Sequence, residues 1–533
     1  KLAALPEQKQ HHERIKAFME QVQAELQLAE AESLQSGLLQ GLSENGLLVL
    51  DGLDEVPFSL RGSIRRVVLS ILQEYEPVRV IITCRIRSYQ DDFGKADFKT
   101  FTVAPLNKNQ IQGFASAWYR RQRDLGRTVP EHAEDDLAQV AAGPALRELS
   151  SNPMMLTTMA IIHQKQTRLP DQRVKLYKEA VDILLRRWQQ HKQGALTPSP
   201  ALTRFLEDEN RLRSTMYRLA YEAHCARCQD KKNQTADLPR GEALVILGDV
   251  KYIGDLNLAQ EFLDYVDQRA GLLVGRGSKD GAPALYSFPH RTFQEYLAAC
   301  HILDIRDYNR EILARAAEGV DWSLVIQLAA EALYYNREGR NALLDLAYWL
   351  RQHSSMESSQ YQRVGLWSAN QTLILGSAVT EDGTAGREHL EKLPTLMVNL
   401  LGSDLTPIER AEAGTHLARL GDPRFRSNTF YLPDEPLLGF IHIPAGRFKM
   451  GSDKDKDPQA YDFETPQHDV ELGEYYIARY PVTVAQFKAF VEQSGHKPDT
   501  QRCLDGLPNH PVVRVTWYDA LAYCDWLTTQ LPK

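Results

Sequence analysis

A run of four apolar residues that ends in acid, Leu47-Leu48-Val49-Leu50-Asp51-Gly52-Leu53-Asp54-Glu55, constrains this chain more than any other tract. A short apolar run bounded by a turn signal reads as a buried strand, the habit of parallel sheets flanked by helices. A second run of the same kind, Val78-Arg79-Val80-Ile81-Ile82-Thr83, follows one helical segment later, the helix being expected from Leu60 to Tyr75. Strand, helix, strand implies a parallel pair with helices on its faces. Open α/β sheets bind ligands beyond the carboxyl ends of their strands, and three carboxylates sit there. A Mg2+ ion on a triphosphate takes hard oxygen ligands, so Asp51 is the candidate to hold such an ion through its water shell. Asp54 and Glu55 are the candidates to orient and polarise an attacking water. A solvated acidic loop after a core strand is the plainer alternative. The second strand runs into Thr83-Cys84-Arg85-Ile86-Arg87, and the planar fork of Arg85 suits phosphate oxygens, although a surface charge at a strand end has the same appearance.

Gly-x-x-x-x-Gly-Lys-Ser/Thr, the loop that cradles phosphates in P-loop folds, occurs nowhere in the 533 residues. That loop precedes the acidic strand in such folds. The expectation is therefore that a nucleotide-binding stretch lies upstream of Lys1, that the start without Met is a cut within a longer protein, and that residues 1–533 alone are inactive.

One core stops growing at about 250–300 residues, so 533 residues imply several domains. A Gln-, Glu- and Ala-rich helix is expected from Glu7 to about Leu42. After about Pro105 apolar residues recur every three or four positions through Ala160, and again from Val174 to Trp188, which reads as a helical bundle. Ser199 before Pro200 reads as a helix N-cap with proline at the first helical position. Gly271-Leu272-Leu273-Val274 and Ala284-Leu285-Tyr286-Ser287-Phe288 flank the turn-rich 277–281, and one hairpin among helices suggests a winged helix. From Asp321 to Leu420 amphipathic helices follow one another, the sharpest opening with the capping box Thr406-Pro407-Ile408-Glu409 and closing at Gly421-Asp422-Pro423. Past Pro433 the texture changes to aromatics, Gly, Pro and short alternating runs.

Composition excludes several classes. A net charge of −8 argues against a chain built to coat nucleic acid, and no apolar run is long enough to span a bilayer. Six scattered cysteines make no disulfide framework, which places the expected home in a reducing cytoplasm. His224, Cys225 and Cys228 have the look of three zinc ligands without a fourth. The basic residues Arg211, Arg213, Arg218, Arg227, Lys231 and Lys232 read as a solvated helix face.

Leu47 to Pro57 resembles the Walker B segment of NACHT domains, the STAND-class ATPases that include NOD-like receptors and bacterial antiphage sensors. Val80 to Arg85 resembles their sensor 1 strand, Ser151-Asn152-Pro153-Met154-Met155-Leu156 the segment whose proline lies near the adenine, and 169–188 the helix after it. Phe288-Pro289-His290-Arg291-Thr292-Phe293-Gln294-Glu295-Tyr296-Leu297-Ala298-Ala299 resembles the end of their winged helix. The resemblance implies ATP/ADP and Mg2+ as cofactors, with Asp51 on Mg2+, Asp54 and Glu55 on the water, Arg85 on the γ-phosphate, Pro153 on the base and His290 on the β-phosphate of ADP. It implies slow hydrolysis, an ADP-locked form and an ATP form that opens and oligomerises, with a ligand of unknown kind at the C-terminal half.

A second resemblance runs from Phe440-Ile441-His442-Ile443-Pro444-Ala445-Gly446-Arg447-Phe448-Lys449-Met450-Gly451-Ser452 through Glu464-Thr465-Pro466-Gln467-His468 and Tyr475 to Thr483. It ends with Asn509-His510-Pro511-Val512 and Trp517-Tyr518-Asp519-Ala520. It is to formylglycine-generating enzymes and their sulfatase-modifying relatives, a C-type-lectin-like fold. Only its first part is covered. The copper-binding cysteine pair of those enzymes is expected beyond Lys533, and Cys503 and Cys524 read as ordinary loop and helix cysteines. A sensor role for this domain and a copper-dependent formylglycine-generating activity are the two alternatives.

The expected fold is thus multidomain α/β plus α. A partial P-loop NTPase parallel sheet occupies 1–104, a helical bundle 105–196, a winged helix 197–304, a HEAT-like helical stack 305–432 and a truncated C-type-lectin-like α+β domain 433–533.

Overall fold

The computed structural model describes residues 47–53, 58–74, 79–84, 93, 98–143, 146–166, 169–170, 172–189, 198–229, 237–267, 272–279, 282–288 and 291–531. The chain is largely helical with small sheets, and it divides into two compact units, one ending at Tyr308 and the other beginning at Asn309. The helix expected from Glu7 to Leu42 lies outside the described residues.

In the first unit β1 (Leu47–Leu50) and β2 (Arg79–Ile82) pair in parallel, Leu47 against Arg79 through Leu50 against Ile82, with α1 (Phe58–Glu74) between them in sequence. The expectation of strands buried on both faces is corrected. Leu47, Val49 and Ile81 are 56, 54 and 50% exposed. The alternate residues Leu50, Val80 and Ile82 pack with Ile64 and Leu72 of α1 around Leu53, Val68 and Phe93. A helix on one face of a pleated pair buries every second side chain, which is the observed period.

Helices α2 (Lys108–Asp124), α3 (Ala133–Ala141), α4 (Arg147–Ser150), α5 (Pro153–Gln166) and α6 (Arg173–Gln189) follow. The next group is α7 (Pro200–Glu207), α8 (Glu209–Gln229), β3 (Leu238–Pro239), α9 (Arg240–Leu247), α10 (Leu256–Asp267), β4 (Val274–Lys279), β5 (Ala282–Ser287) and α11 (Arg291–Asp304). The N-cap at Ser199 forms as expected, its Oγ accepting from Leu202 N at 3.1 Å. The same residue also donates from N and Oγ to the Glu261 carboxylate of α10, at 2.7 and 2.8 Å, a contact no local pattern announces. The hairpin is longer than its sequence suggested. Ser278 pairs with Pro283 and Lys279 with Ala282, so residues read as turn belong to the ladder. β3 adds a third strand through Leu238 opposite Tyr286, too short for any periodicity to detect.

From the second residue of α12 (Tyr308–Glu318) onward the chain belongs to the second unit, with α13 (Ser323–Glu331), α14 (Arg340–Gln352), α15 (Ser359–Leu375), α16 (Ala378–Glu381), α17 (Gly383–Leu401) and α18 (Pro407–Leu420). Leu366 and Ala369 of α15, Leu393, Met397 and Leu400 of α17 and Ala413 and Leu417 of α18 share one core. The Thr406/Glu409 capping box is present, and the chain leaves α18 through Gly421 at φ 96°, a left-handed conformation suited to glycine. The final part holds the antiparallel pairs β6 (Phe425–Arg426) with β7 (Leu432–Pro433), β8 (Phe440–Ile443) with β11 (Tyr475–Ala478), and β9 (Gly446–Met450) with β10 (His468–Leu472). Its core lies instead around α19 (Val484–Ser494) and α20 (Trp517–Gln530), where Phe487, Phe490, Tyr523 and Leu527 pack with Leu432 and Cys503.

Candidate functional site

Parallel pairing in register brings the ends of β1 and β2 side by side, and two backbone bonds fix the turn beyond them. Thr83 N donates to Leu50 O and Leu53 N to Thr83 O, both at 2.9 Å, while Gly52 turns the chain at φ 83°. Thr83 is the residue the sequence reading passed over. Its Oγ1 accepts from Gly52 N at 2.9 Å and donates to Asp51 Oδ1, so the hydroxyl holds one carboxylate oxygen of Asp51. Both side chains are exposed at the strand ends. One signal was available, since a Thr at the mouth of a β-strand beside an acid can bond it only if the strands are neighbours, and the two apolar runs already implied that.

Asp54, Glu55, Arg85 and His290 lie outside the described residues, and so do Lys231 and Lys232. Pro153 occupies the first position of α5, where its missing N–H is of no consequence. Asn152 caps that helix, its Oδ1 accepting from Met154 N and Met155 N at 2.9 and 3.3 Å. Leu106 N donates to Ser151 O at 2.9 Å, which ties the start of α5 to the segment that follows β2. Pro153 itself is exposed.

α11, the helix immediately after His290, is buried from Phe293 through Leu303. Tyr177 of α6 stacks on Tyr296 with ring centroids 5.3 Å apart and meets the edge of Phe293 at 5.8 Å, so α6 and α11 are bound to one another by aromatic packing. Glu295 is buried within this helix and takes Arg291 Nε at 2.7 Å. Burial pushes its carboxyl above the ordinary range, against the opposing pull of Arg291 and Arg227.

The basic helix face is corrected. Arg211 fans under the end of the α9–α10 connection, onto the carbonyls of Tyr252, Val250 and Ile253. Arg213 pairs with Asp182 at 3.0 Å and Arg218 with Glu222 at 2.6 Å, and Arg227 is buried. Arg211 and Arg213 thus fasten α8 to other elements, whereas the Arg218–Glu222 pair lies within α8. His224 is buried on α8, and among the described residues no three His, Cys, Asp or Glu side chains converge to hold a metal ion. None of the six cysteines is in a disulfide, Cys503 is buried with its thiol pushed up mainly by that burial, and Cys524 is exposed on α20. No described helix is long and apolar enough to cross a membrane.

Two segments of the chain match known families. Residues 173–302 match the family model of a winged helix-turn-helix domain C-terminal to NACHT, and residues 430–533 match that of a sulfatase-modifying factor enzyme 1-like domain. A formylglycine-generating enzyme of Thermomonospora curvata is 31% identical over 146 residues, 19% of this chain and 47% of that protein. A hercynine oxygenase of Mycolicibacterium thermoresistibile is 30% identical over 146 residues, covering 21% of this chain and 33% of its own. The serine/threonine-protein kinase Pkn1 of Chlamydia trachomatis is 32% identical over 121 residues, 19% of each chain. The chain thus spans less than half the length of these relatives. It carries a winged-helix domain of the kind found after NACHT domains, followed in the second unit by a sulfatase-modifying factor enzyme 1-like domain.

Proposed function

We propose that the chain is part of a NACHT-type STAND ATPase in bacterial signalling or antiphage defence, a nucleotide latch that is closed with ADP and that opens and oligomerises with ATP. The observation that carries the reading is the match of 173–302 to a winged helix defined by its place after NACHT domains, downstream of a parallel strand pair that ends in Asp51. Oxygen donors suit Mg2+, and the Asp51 carboxylate, with one oxygen taken by Thr83, offers the other to the ion's water shell. Mg2+ on a triphosphate, when bound, neutralises charge that develops on the phosphoryl oxygens. The remaining work belongs to the chain's own groups: Asp54 and Glu55 on the attacking water, Arg85 on the terminal phosphate, Pro153 against the base and His290 on the ADP-bound form. α11, which follows His290 directly in the sequence, is held to α6 and α8. The switch is a population shift between two packings, and a ligand at the C-terminal half biases it.

The test is ATP and ADP binding and particle mass of the gene's complete product, with residues 1–533 beside it. Binding of both nucleotides with assembly only in ATP supports the latch; a complete product that binds neither sinks it. Asp51→Asn is expected to slow hydrolysis about 10²–10³-fold with stability nearly unchanged.

A second reading, a copper-dependent formylglycine-generating activity, is favoured by the Thermomonospora relative. The same stretch also matches proteins named for other activities, so the likeness by itself selects none. Conversion of a sulfatase-type cysteine peptide by the complete, copper-loaded product is the measurement that decides it.

A further inference from the structure

The loop 507–512 contains Asn509-His510-Pro511-Val512, part of the tract by which the C-terminal domain resembles its relatives, yet the Asn509 side chain reaches outside that domain. Its Nδ2 donates to Gly414 O on α18 and to Asp422 Oδ2 just past that helix, each at 3.0 Å. The Asp422 side chain is 5% exposed and held by a two-point grip from Arg424, Nε to Oδ1 at 2.9 Å and Nη2 to Oδ2 at 2.6 Å. Burial acts to raise the Asp422 carboxyl, but the hydrogen bonds from Arg424 and Asn509 outweigh it and keep the group below the ordinary range, hence charged. Asn509 Oδ1 is buried with no hydrogen-bond partner among the described residues, so the amide has one orientation. Turned over, it would set an oxygen against two oxygens.

The other side of the loop is laced to α19. Val484 N donates to His510 O, Ala485 N to Pro508 O and Val512 N to Val482 O, each at 2.9 Å, and Thr483 bridges to Pro511. Gln486, which closes the α19 capping box with Thr483, donates onward to Tyr431 O at 2.9 Å. One half-buried amide therefore stands between the last helix of the array and the first helix of the domain. A tethered catalytic module needs no such bond; a domain seated on its neighbour does.

We infer that the 507–512 loop is a docking element, and that Asn509 with Asp422 and Arg424 joins the sulfatase-modifying factor-like domain to α18 as one cooperatively opening body. On the reading proposed above, this joint is the route by which a ligand on the domain is felt in the array. The joint itself does not depend on nucleotide.

Hydrogen exchange on residues 1–533, read at the amides of α18 and α19, tests it without nucleotide. Both helices are expected to open together in the wild type, with one shared protection. Asn509→Asp places a second carboxylate against Asp422 and the Gly414 carbonyl, and is expected to raise exchange in α19 and α20 at least about tenfold while α18 changes little. Asn509→Ala, which adds no charge, gives a smaller separation in the same direction and serves if the aspartate variant does not fold. Independent opening of α18 and α19 in the wild type overturns the inference, and so does a shared protection that survives Asn509→Ala. A complete product that fails to bind nucleotide while α18 and α19 still open together would count against the latch alone.

Discussion

Helix α11 and the strands β8 to β11 are both rich in aromatic and aliphatic residues, and the molecule treats them in opposite ways. In α11 every residue from Phe293 to Leu303 is buried, including Gln294, Glu295 and His301. On β9 and β11, Phe448, Met450, Tyr475, Tyr476 and Ile477 remain between 43 and 58% exposed. What differs is the neighbourhood. α11 has α8 along its length and the Tyr177 ring of α6 on one side, whereas among the described residues β9 pairs only with β10 and β11 only with β8. Apolar composition sets how much a segment gains from burial, and the number of elements laid against it sets how much of that gain is realised.

The largest expected effect lies in the helix. Phe293→Ala removes a fully buried ring that meets Tyr177 and should destabilise the first unit by roughly 3–5 kcal/mol in urea unfolding. A loss below about 1 kcal/mol would mean that α11 is less tightly enclosed than its burial indicates.

An intermediate effect separates the helices of the C-terminal domain from its strands. Asp519 of α20 is buried, and burial works against its charge. Hydrogen bonds from His496 Nε2 at 2.8 Å and from Thr516 N and Oγ1 at 2.9 and 2.7 Å outweigh that and hold its carboxyl down at about 2. A carboxyl depressed on folding adds stability above its unfolded value near about 4, and that stability is lost as pH falls through the folded value. Unfolding monitored from pH 5 down to pH 2 should therefore show a decline that Asp519→Asn flattens, and the variant should be less stable at neutral pH by about 1–3 kcal/mol. A decline unchanged by the substitution would place the acid-labile group elsewhere.

The smallest effect is expected on the strands. Tyr476→Ala, at 58% exposure, should change stability by no more than about 0.5 kcal/mol. A loss approaching that of Phe293→Ala would erase the contrast, because it would show β11 enclosed in solution.

Much of the local structure was legible. The apolar runs at 47–50 and 79–82 became strands within a residue of their expected bounds, the N-cap at Ser199 formed, and the capping box of Thr406 formed with Glu409 as predicted. The basic residues of α8 were misread because charge on a helix says nothing of what faces it, and here the Asp182 carboxylate and the carbonyls of 250–253 do. At the strand ends the acid Asp51 was legible from its place after the run. Its partner Thr83 could be reached only indirectly, from the adjacency of the two runs, since a hydroxyl carries no pattern of its own.

Sequence by itself determined where helices start, which runs become strands, and which tracts mark the winged helix and the sulfatase-modifying factor-like domain. Those signals are carried by residues within a turn or two of one another, where backbone geometry fixes who can meet whom. Only the tertiary structure decided that Thr83 bonds Asp51 across 32 positions and that Asn509 bonds Asp422 across 87. Among the described residues it also decided which side chains of β1 and β2 pack against α1. Such contacts depend on where the chain returns to itself, and the energy that selects them is shared among all the packed elements, so no single window of residues contains it.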